Sequence, residues 1–474
     1  MKGRGTLVLL ALALALGLYV WLVEIRGSAE KAEAEAAGRV IFAQEPAQVT
    51  GLELVTSEGA NAVLTRAAGA DGRSAWTLEA PVRYPADADA VERALQALEK
   101  LSSTATIETR PADLAPFGLG EKAKRVLVKT GEGEPRTLLL GADTPVGGGR
   151  YVELPGDPPR LFVVSAGSLG ALAPGLVELR DKRLLRLAPD AVDELTVRAG
   201  GTLVARAKRT EAGWALVEPE NAPADGERIR RLIDDLALGR ASAFEDTPEP
   251  AKAYGLDRPE VEVVARAGEA EETLAFGSAD SKSWLERRGD PVILEVNERA
   301  RTSIPRAFFD FRAKRVLTLD AEAVRGLELV FPRNGVTHRL KREGETWQAE
   351  EAGVELQPRK VEDLVYALEA VDATGLEEAS LDRAQIGLEP ALALVRALDE
   401  QGELLGSLSF GDPHPDKGLP ALSSQSPLVW RVANDIGREV PLSPEAYTNL
   451  LVKSPPQPPA SEPPPEPAAE PSEP

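Results

Sequence analysis

An internal repeat restricts how this chain can fold more than any other feature of its sequence. Each copy carries a tryptophan on a strand-like segment and, about 40 residues later, a glycine in a turn, and the copies follow one another at about 135 residues. The tryptophans are Trp76, Trp214 and Trp347, and the glycines are Gly118, Gly255 and Gly387. The chain is therefore predicted to contain three similar domains rather than one large core.

The order of patterns within each copy predicts an α+β domain. An alternating apolar segment opens each copy, as in GLEL at residues 51–54, and a second strand runs into the tryptophan. An amphipathic helix follows, then the glycine turn, and then alternating segments that include Gly141, Gly277 and Gly411. Short alternating runs separated by turn residues favour antiparallel pairing. We predict three tandem repeats of about β-β-α-β-β-β, each an antiparallel sheet with one amphipathic helix.

The predicted helix of each copy has apolar residues at the i, i+3, i+4 and i+7 spacing of one buried face. They are Val91, Ala94, Leu95 and Leu98 in the first copy, Ile229, Leu232, Ile233 and Leu236 in the second, and Val361, Leu364, Val365 and Leu368 in the third. Asp87 and Asp225 stand where an N-cap is expected, whereas the third copy has Gln357 before Pro358. The turn glycine is predicted to serve a backbone conformation that a side chain obstructs.

Two basic segments lie between the copies: the first junction, LRDKRLL at residues 179–185, and the second junction, FRAKRVL at residues 311–317. Their cationic side chains are Arg180, Lys182 and Arg183 in the first, and Arg312, Lys314 and Arg315 in the second. No equivalent sequence follows the third copy, so the motif is assigned to the junctions. We favour contacts between neighbouring copies or with a partner, because arginine buries its stem while pairing with carboxylates. A site for an anionic ligand is the alternative.

Together these motifs resemble a known bacterial family. The tryptophan strand, the AYGLDRP turn at residues 253–259, the LxxG strand ends and the two junctions are similar to the family called domain of unknown function 4340, over about residues 48–453. The resemblance implies no established activity and no catalytic residues. It implies instead a partner, components of an ABC-type transport system of the kind linked to gliding motility.

The N-terminal segment predicts a membrane anchor. Residues 6–23 contain no charge and, as a helix, span about 27 Å. Lys2 and Arg4 precede this run, which places residues 1–5 in the cytoplasm and the bulk of the chain in the periplasm. A cleaved signal peptide is the alternative, but the apolar run is too long and lacks a good cleavage site. Residues 24–47 are predicted to form a stalk, helical over its Ala- and Glu-rich part.

The C-terminal segment, residues 454–474, is dominated by proline and glutamate. Such a composition cannot form a packed core, so we predict a disordered tail that serves as a spacer, with recognition by a proline-binding partner as the alternative.

Composition excludes several classes of function. The formal net charge is −21 and no domain-sized basic block offsets it, which argues against nucleic acid as a partner. The absence of cysteine removes disulfides, thiol catalysis and Cys-based metal sites. No HExxH, GxSxG, P-loop or dinucleotide fingerprint is present.

The remaining candidates for chemistry each have a simpler interpretation. His338 is interpreted as a partly buried imidazole rather than a catalytic one, and His414 as a solvated turn residue. The glycines at residues 147–149 before Arg150 are interpreted as a hairpin loop rather than a phosphate nest. Asp87 and Asp89 are assigned to helix capping rather than to a metal. The repeated tryptophans are assigned to the core rather than to a carbohydrate platform.

These observations lead to one predicted organisation: a cytoplasmic N-terminus (1–5), an anchor (6–23), a stalk (24–47), three repeats (48–186, 187–318 and 319–453) and a tail (454–474). The predicted function is a non-enzymatic, single-pass inner-membrane scaffold or accessory subunit of an envelope or ABC-type transport complex. No cofactor is predicted. Two alternatives stay open, a cell-wall or glycan binding protein that uses exposed aromatics such as Trp284 or Trp430, and a divergent hydrolase.

Overall fold

The computed structural model describes residues 39–42, 44–68, 74–120, 123–131, 133–377 and 381–453. The predicted anchor (6–23), the first part of the predicted stalk (24–38) and the predicted tail (454–474) lie outside these ranges. None of the helices that the structure describes is long and apolar enough to cross a membrane.

Three antiparallel sheets form the described part of the chain, one for each copy of the repeat. The first sheet contains β1 (Val49–Val55), β2 (Asn61–Ala68), β3 (Ser74–Ala80), β4 (Tyr84–Pro85), β5 (Ser103–Ile107), β6 (Lys124–Thr130), β7 (Arg136–Asp143), β8 (Gly149–Leu154) and β9 (Arg160–Ser165). Its order is β4-β3-β2-β1-β6-β7-β8-β9-β5. Strand β1 thus pairs with both β2 and β6 at the middle of the sheet, and the strand that follows the helix in sequence forms one edge.

The third sheet repeats this order without the short fourth strand. It contains β19 (Gly326–Phe331), β20 (Val336–Glu343), β21 (Thr346–Ala349), β22 (Ala373–Leu376), β23 (Ala393–Leu398), β24 (Leu404–Phe410), β25 (Leu419–Ser423) and β26 (Val429–Val432). Its order is β21-β20-β19-β23-β24-β25-β26-β22.

The second copy is divided between two compact units, residues 1–209 with 229–306 and residues 210–228 with 307–474. Its strands in the first unit are β10 (Glu194–Ala199), β11 (Thr202–Thr210), β14 (Ala243–Glu245), β15 (Val261–Ala267), β16 (Ala270–Ala279), β17 (Lys282–Arg287) and β18 (Ile293–Val296). Here β10 pairs with β11 and β15, and β14 pairs with β18 at the edge. In the second unit, β12 (Gly213–Glu218) pairs with β13 (Ala222–Pro223).

One long helix in each copy buries the predicted face. The helices are α1 (Ala88–Glu99), α2 (Gly226–Leu238) and α4 (Pro358–Ala370), and two short ones are α3 (Glu298–Thr302) and α5 (Pro444–Leu451). Every apolar position predicted for the three faces is buried. The predicted caps are also confirmed, because Asp87 accepts from the Ala90 N–H and Asp225 from the Arg228 N–H, whereas Gln357 makes no side-chain cap.

Each copy contains more strands than the five of the predicted β-β-α-β-β-β order. Each tryptophan lies on the third strand of its copy, not the second, because a separate hairpin strand precedes it, as β2 precedes β3. The short edge strand after each helix, such as β5, was also missed. Its residues alternate weakly and are mostly exposed, so hydrophobic periodicity gives no signal there.

The repeated tryptophans belong to the cores in two of the three copies. Trp76 and Trp347 are buried in the clusters of the first and third sheets, and Trp214 is half-buried. Trp284 and Trp430, expected to be exposed, are only 6% and 4% accessible. The expectation of exposed aromatics at these two positions is therefore wrong, since Trp284 packs edge-on against Tyr254 in a small apolar cluster and Trp430 belongs to the core of the third sheet.

The turn glycines adopt the conformation predicted for them. Gly118, Gly255 and Gly387 all have positive φ, between 66° and 72°. A Cβ on Gly255 would lie 2.6 Å from the Ser278 carbonyl oxygen, so both the backbone angle and the space require glycine.

Candidate functional site

Each junction consists of two short segments that pair with different copies. In the first junction, residues 179–181 pair with the start of α1, through Asp87 N–H to Leu179 O and Asp181 N–H to Pro85 O. Residues 182–184 pair instead with the chain ahead of β14, through Leu184 N–H to Gly239 O. We call these the closing segment and the opening segment, because the first completes one copy and the second begins the next.

The same backbone bonds recur in the second unit. The closing segment 311–313 pairs with residues 223–225, and the opening segment 314–316 pairs with residues 371–373. At the end of the third copy, residues 451–453 make the closing bonds, with Gln357 N–H donating to Leu451 O. The expectation that nothing equivalent follows the third copy is therefore wrong at the level of the backbone. Sequence comparison missed it because Val452 stands where the junctions have arginine.

An opening segment also precedes the first copy. Ile41 N–H donates to Leu101 O and Ser103 N–H donates to Arg39 O, the bonds that Leu184 and Ala241 make in the second copy. By their backbone pairing, the three copies therefore comprise residues 39–181, 182–313 and 314–453. Each copy begins about five residues or more before the predicted boundary, because the opening segment belongs to the sheet that follows it.

Arg180 is the most buried cation of the first junction, with 1% of its surface accessible. Its guanidinium donates to both carboxylate oxygens of Asp246, at 2.6 and 2.8 Å, and lies 5.0 Å from the centre of the Phe244 ring. Asp246 and Phe244 belong to the second copy, whereas the Arg180 backbone pairs with Ala86 of the first. A two-point contact of this kind sets distance and orientation together.

Lys182 and Arg183 pair with carboxylates close to them. The Lys182 ammonium lies 3.3 Å from Asp87, and Arg183 donates to both oxygens of Asp181. Burial by itself raises the pKa of the Asp181 carboxyl, but the hydrogen bonds and charge of Arg183 outweigh it and hold that pKa below its ordinary value. Asp181 is therefore ionised, and the pairs are internal to the first unit.

A second set of side chains completes the first junction, and the sequence did not reveal it. Arg186 donates to both oxygens of Asp290 at 3.1 Å, and its guanidinium lies 4.8 Å from the centre of the Tyr84 ring. Arg287, 3% accessible, donates to the Tyr84 hydroxyl, to Asp290 and to the carbonyl oxygens of residues 183 and 184. Arg186 lies just beyond the repeated motif, and Arg287 has no repeated equivalent, so neither stood out.

Among the residues that the structure describes, the second junction has fewer ionic contacts than the first. Arg312, 6% accessible, donates to Glu220 at 2.6 Å and lies 5.5 Å from the centre of the Trp430 ring. Lys314 lies 5.4 Å from the centre of the Phe309 ring. Arg315 is exposed, donates to the Glu369 carbonyl oxygen and lies 3.4 Å from Asp372. The structure thus brings the six predicted cations onto two homologous segments rather than into one site.

The two histidines lie in different surroundings. The His338 ring stacks on Tyr447 at 3.7 Å and its Nδ1 lies 2.9 Å from Glu351, so it has an acidic partner that sequence spacing did not indicate. His414 lies in a turn and its Nδ1 accepts from the N–H groups of Asp416 and Lys417, as expected for a turn residue.

The other candidates keep their structural interpretation. Residues 144–148 connect β7 to β8 as a hairpin loop that contains Gly147 and Gly148, and Gly149 begins β8. Arg150 donates to Asp143 at 2.7 Å. Within the described ranges, no group of three or more histidine and acidic side chains is placed to hold a metal ion. The candidate functional site is therefore the pair of junctions, where buried cations are paired with carboxylates and lie beside aromatic rings.

Comparison with known proteins gives one match. A family described as "Domain of unknown function (DUF4340)" matches residues 76–215 and 214–388, which together make up about two thirds of the chain. No curated protein and no solved structure matches the chain.

Proposed function

Since the chain belongs to the DUF4340 family, whose description assigns no activity, we propose a function from its architecture: a non-enzymatic, membrane-anchored scaffold or accessory subunit of an envelope or ABC-type transport complex. The anchor is the apolar segment at residues 6–23, and the three repeats supply the surfaces that bind partners. The transport system is the partner that the family resemblance implies.

The observation that carries this proposal is the first junction. Buried ion pairs contribute little net stability, but they penalise every arrangement in which the charges lose their partners. The Arg180–Asp246 pair therefore holds two neighbouring copies in one register, and the hydrogen bond from Arg287 to the Tyr84 hydroxyl crosses the same boundary. A scaffold needs such fixed spacing between binding surfaces, whereas an isolated binding domain does not.

The enzyme alternative is less well supported. One cleft of the third copy is lined by an ion-paired carboxylate, Glu328, whose pKa is lowered by hydrogen bonds from Arg339 and Arg396. A carboxylate held in its charged form by two arginines is typical of a structural pair rather than of a general acid. The glycan alternative is weakened because Trp284 and Trp430 offer no open ring face.

The test is purification of the full-length protein at native expression in mild detergent, with co-purified chains identified by mass spectrometry. A scaffold is expected to recover inner-membrane components reproducibly. Asp246→Asn, which breaks the first junction, is expected to reduce that recovery, and Asp143→Asn, which breaks an exposed pair, is not. Recovery of the protein alone under these conditions contradicts the proposal.

Location is tested separately. A truncated chain that starts at Arg39 is expected to leave the membrane fraction, and a reporter fused after Lys453 is expected to report the periplasm. A cytoplasmic reporter signal would overturn the proposed orientation.

A further inference from the structure

A pocket lies beside Arg312 at the second junction. Its volume is about 560 Å³, and all its lining residues belong to the second unit. The principal ones are Glu220, Asn221, Arg312, Thr318, Ser426 and Trp430. This volume is in the range of small-ligand sites in proteins.

Backbone pairing shows which residues correspond at the two junctions. Leu78 pairs with Tyr84 in the first copy, and Leu216 pairs with Ala222 at the same register of the second. Leu274 pairs with Arg287 in the second copy, and Leu408 pairs with Ser423 in the third. Arg186 and Thr318 each follow the opening segment by the same number of residues. Asp290 and Ser426 each lie three residues after Arg287 and Ser423.

The four positions that Tyr84, Arg186, Arg287 and Asp290 occupy at the first junction carry smaller side chains at the second. Tyr84, Arg186, Arg287 and Asp290 interlock in the first unit, where the Tyr84 ring is 1% accessible and also meets Phe244 edge-on at 5.4 Å. Ala222, Thr318, Ser423 and Ser426 stand in their places in the second unit. Close packing leaves a space when large groups are replaced together, and Thr318 and Ser426 line the pocket that results.

The walls of the pocket are suited to an aromatic ring with a polar end. Pro223, Pro427, Leu428 and the Trp430 indole supply apolar surface, and the Arg312 guanidinium lies over the indole. The indole N–H of Trp430 is buried without a hydrogen-bond partner in the described part of the chain. Glu220 and Asn221 are exposed at the same pocket, where the Glu220 carboxylate can accept further hydrogen bonds and the Asn221 amide can accept or donate them.

We propose that this pocket binds a tyrosine side chain of a partner protein, at the place in the repeat that Tyr84 occupies in the first junction. A phenol combines the apolar ring that the walls accommodate with a hydroxyl for the polar groups beside it. A sugar ring fits less well, because the apolar walls at Pro223, Pro427 and Leu428 leave many of its hydroxyl groups without hydrogen-bond partners. The biological meaning rests on the proposed scaffold function, but probe binding is measured without any partner, so the two can fail separately.

The experiment uses the full chain in detergent with selectively labelled tryptophan, and two probes, p-cresol and N-acetyl-tyrosinamide. Both are expected to shift the Trp430 indole N–H resonance saturably, with dissociation constants in the millimolar range, and toluene is expected to bind at least threefold more weakly. Ala222→Tyr, which restores the residue of the first junction, is expected to weaken both probes at least tenfold. Ala212→Tyr adds the same side chain at an exposed turn and is the matched control.

A second variant guards against misfolding of Ala222→Tyr. Thr318→Arg with Ser426→Asp restores the Arg186–Asp290 pair of the first junction and is expected to weaken the probes similarly, with an unchanged circular dichroism spectrum. Shifts that do not saturate, or that survive both variants, overturn the site. Binding of p-cresol without N-acetyl-tyrosinamide overturns the partner assignment, since the pocket then admits a free phenol but not a residue.

Discussion

Arg180 and Arg312 occupy equivalent backbone positions, and their surroundings differ. Both guanidinium groups are buried beside an aromatic ring, but Arg180 has a two-point contact with Asp246 whereas Arg312 has one hydrogen bond to Glu220. Removing one member of such a pair lowers the free energy of unfolding, because the other member then keeps a buried charge without a partner.

We predict that Asp246→Asn lowers the free energy of unfolding by about 3 kcal/mol, since Arg180 stays buried with half of its pair neutralised. The measurement is urea denaturation of the full chain, in which the midpoint falls at unchanged slope. Asp143→Asn at the exposed Arg150 pair is the control, with an expected loss below about 1 kcal/mol. Equal losses in the two variants would show that Arg180 reaches solvent.

We predict that the titration of Tyr447 lowers the stability of the protein at alkaline pH. Burial, together with the Glu351 charge, raises its pKa to about 12. The unfolded chain releases this proton near pH 10 and the folded chain does not, so the contribution of Tyr447 is intact below pH 10 and is lost as the pH rises to about 12. The expected loss is on the order of 1–2 kcal/mol, measured by denaturation across that pH range.

Tyr447→Phe should remove this alkaline component. The Tyr447 hydroxyl is buried without a hydrogen-bond partner among the described residues, so the variant is expected to be as stable as the parent at pH 7, or up to about 1 kcal/mol more stable. An unchanged alkaline decrease in this variant would assign the effect to another group.

The glycine turn is an element that the copies share although their sequences differ. The glycine turn brings the chain against the following hairpin: a Cβ on Gly118 would lie 2.6 Å from the Ala142 nitrogen, and one on Gly255 2.6 Å from the Ser278 oxygen. All three copies therefore share a positive φ at the turn glycine, and in the first two a backbone neighbour also leaves no room for a Cβ.

Two substitutions, Gly255→Ala and Gly268→Ala, separate the effect of the positive φ from the effect of the close backbone neighbour. Both glycines have positive φ, at 69° and 60°, but only Gly255 has a backbone neighbour where the methyl would lie. We expect a loss of about 1 kcal/mol for Gly268→Ala from backbone strain alone, and about 3 kcal/mol or more for Gly255→Ala. Thermal unfolding followed by circular dichroism measures both, and similar values would mean that the turn shifts to accept the methyl.

At the scale of the whole molecule, the junctions define where one copy ends. The closing segment of the first copy is residues 179–181, and the core of that copy includes Leu179 as well as Ile41 and Phe42 from its opening segment. An independently folding unit should therefore contain both ends.

We predict that a fragment of residues 39–181 unfolds cooperatively and that residues 48–181 form a markedly less stable fragment. The shorter fragment loses the backbone bonds of Arg39 and Ile41 and the buried Ile41 and Phe42 side chains, a loss of about 4 kcal/mol or more. Urea denaturation of the two fragments provides the comparison. Equal midpoints would show that the opening segment contributes nothing to the first copy.

Periodic patterns in the sequence determined the number of copies, the class of fold, the buried helix faces and the turn glycines, because each depends on residues close together in the chain. The helix faces at Val91, Ile229 and Val361 are of this kind, and so are the caps at Asp87 and Asp225. The DUF4340 family follows from the same local motifs.

Only the tertiary structure decided the contacts between copies. Arg180 meets Asp246 and Arg287 meets Tyr84 across separations of 66 and 203 residues, and no local pattern encodes such pairs. It also decided that Val452 closes the third copy, since backbone hydrogen bonds do not depend on side-chain identity. The pocket at the second junction was equally invisible, because a cavity arises from several small residues that become neighbours only when the chain folds.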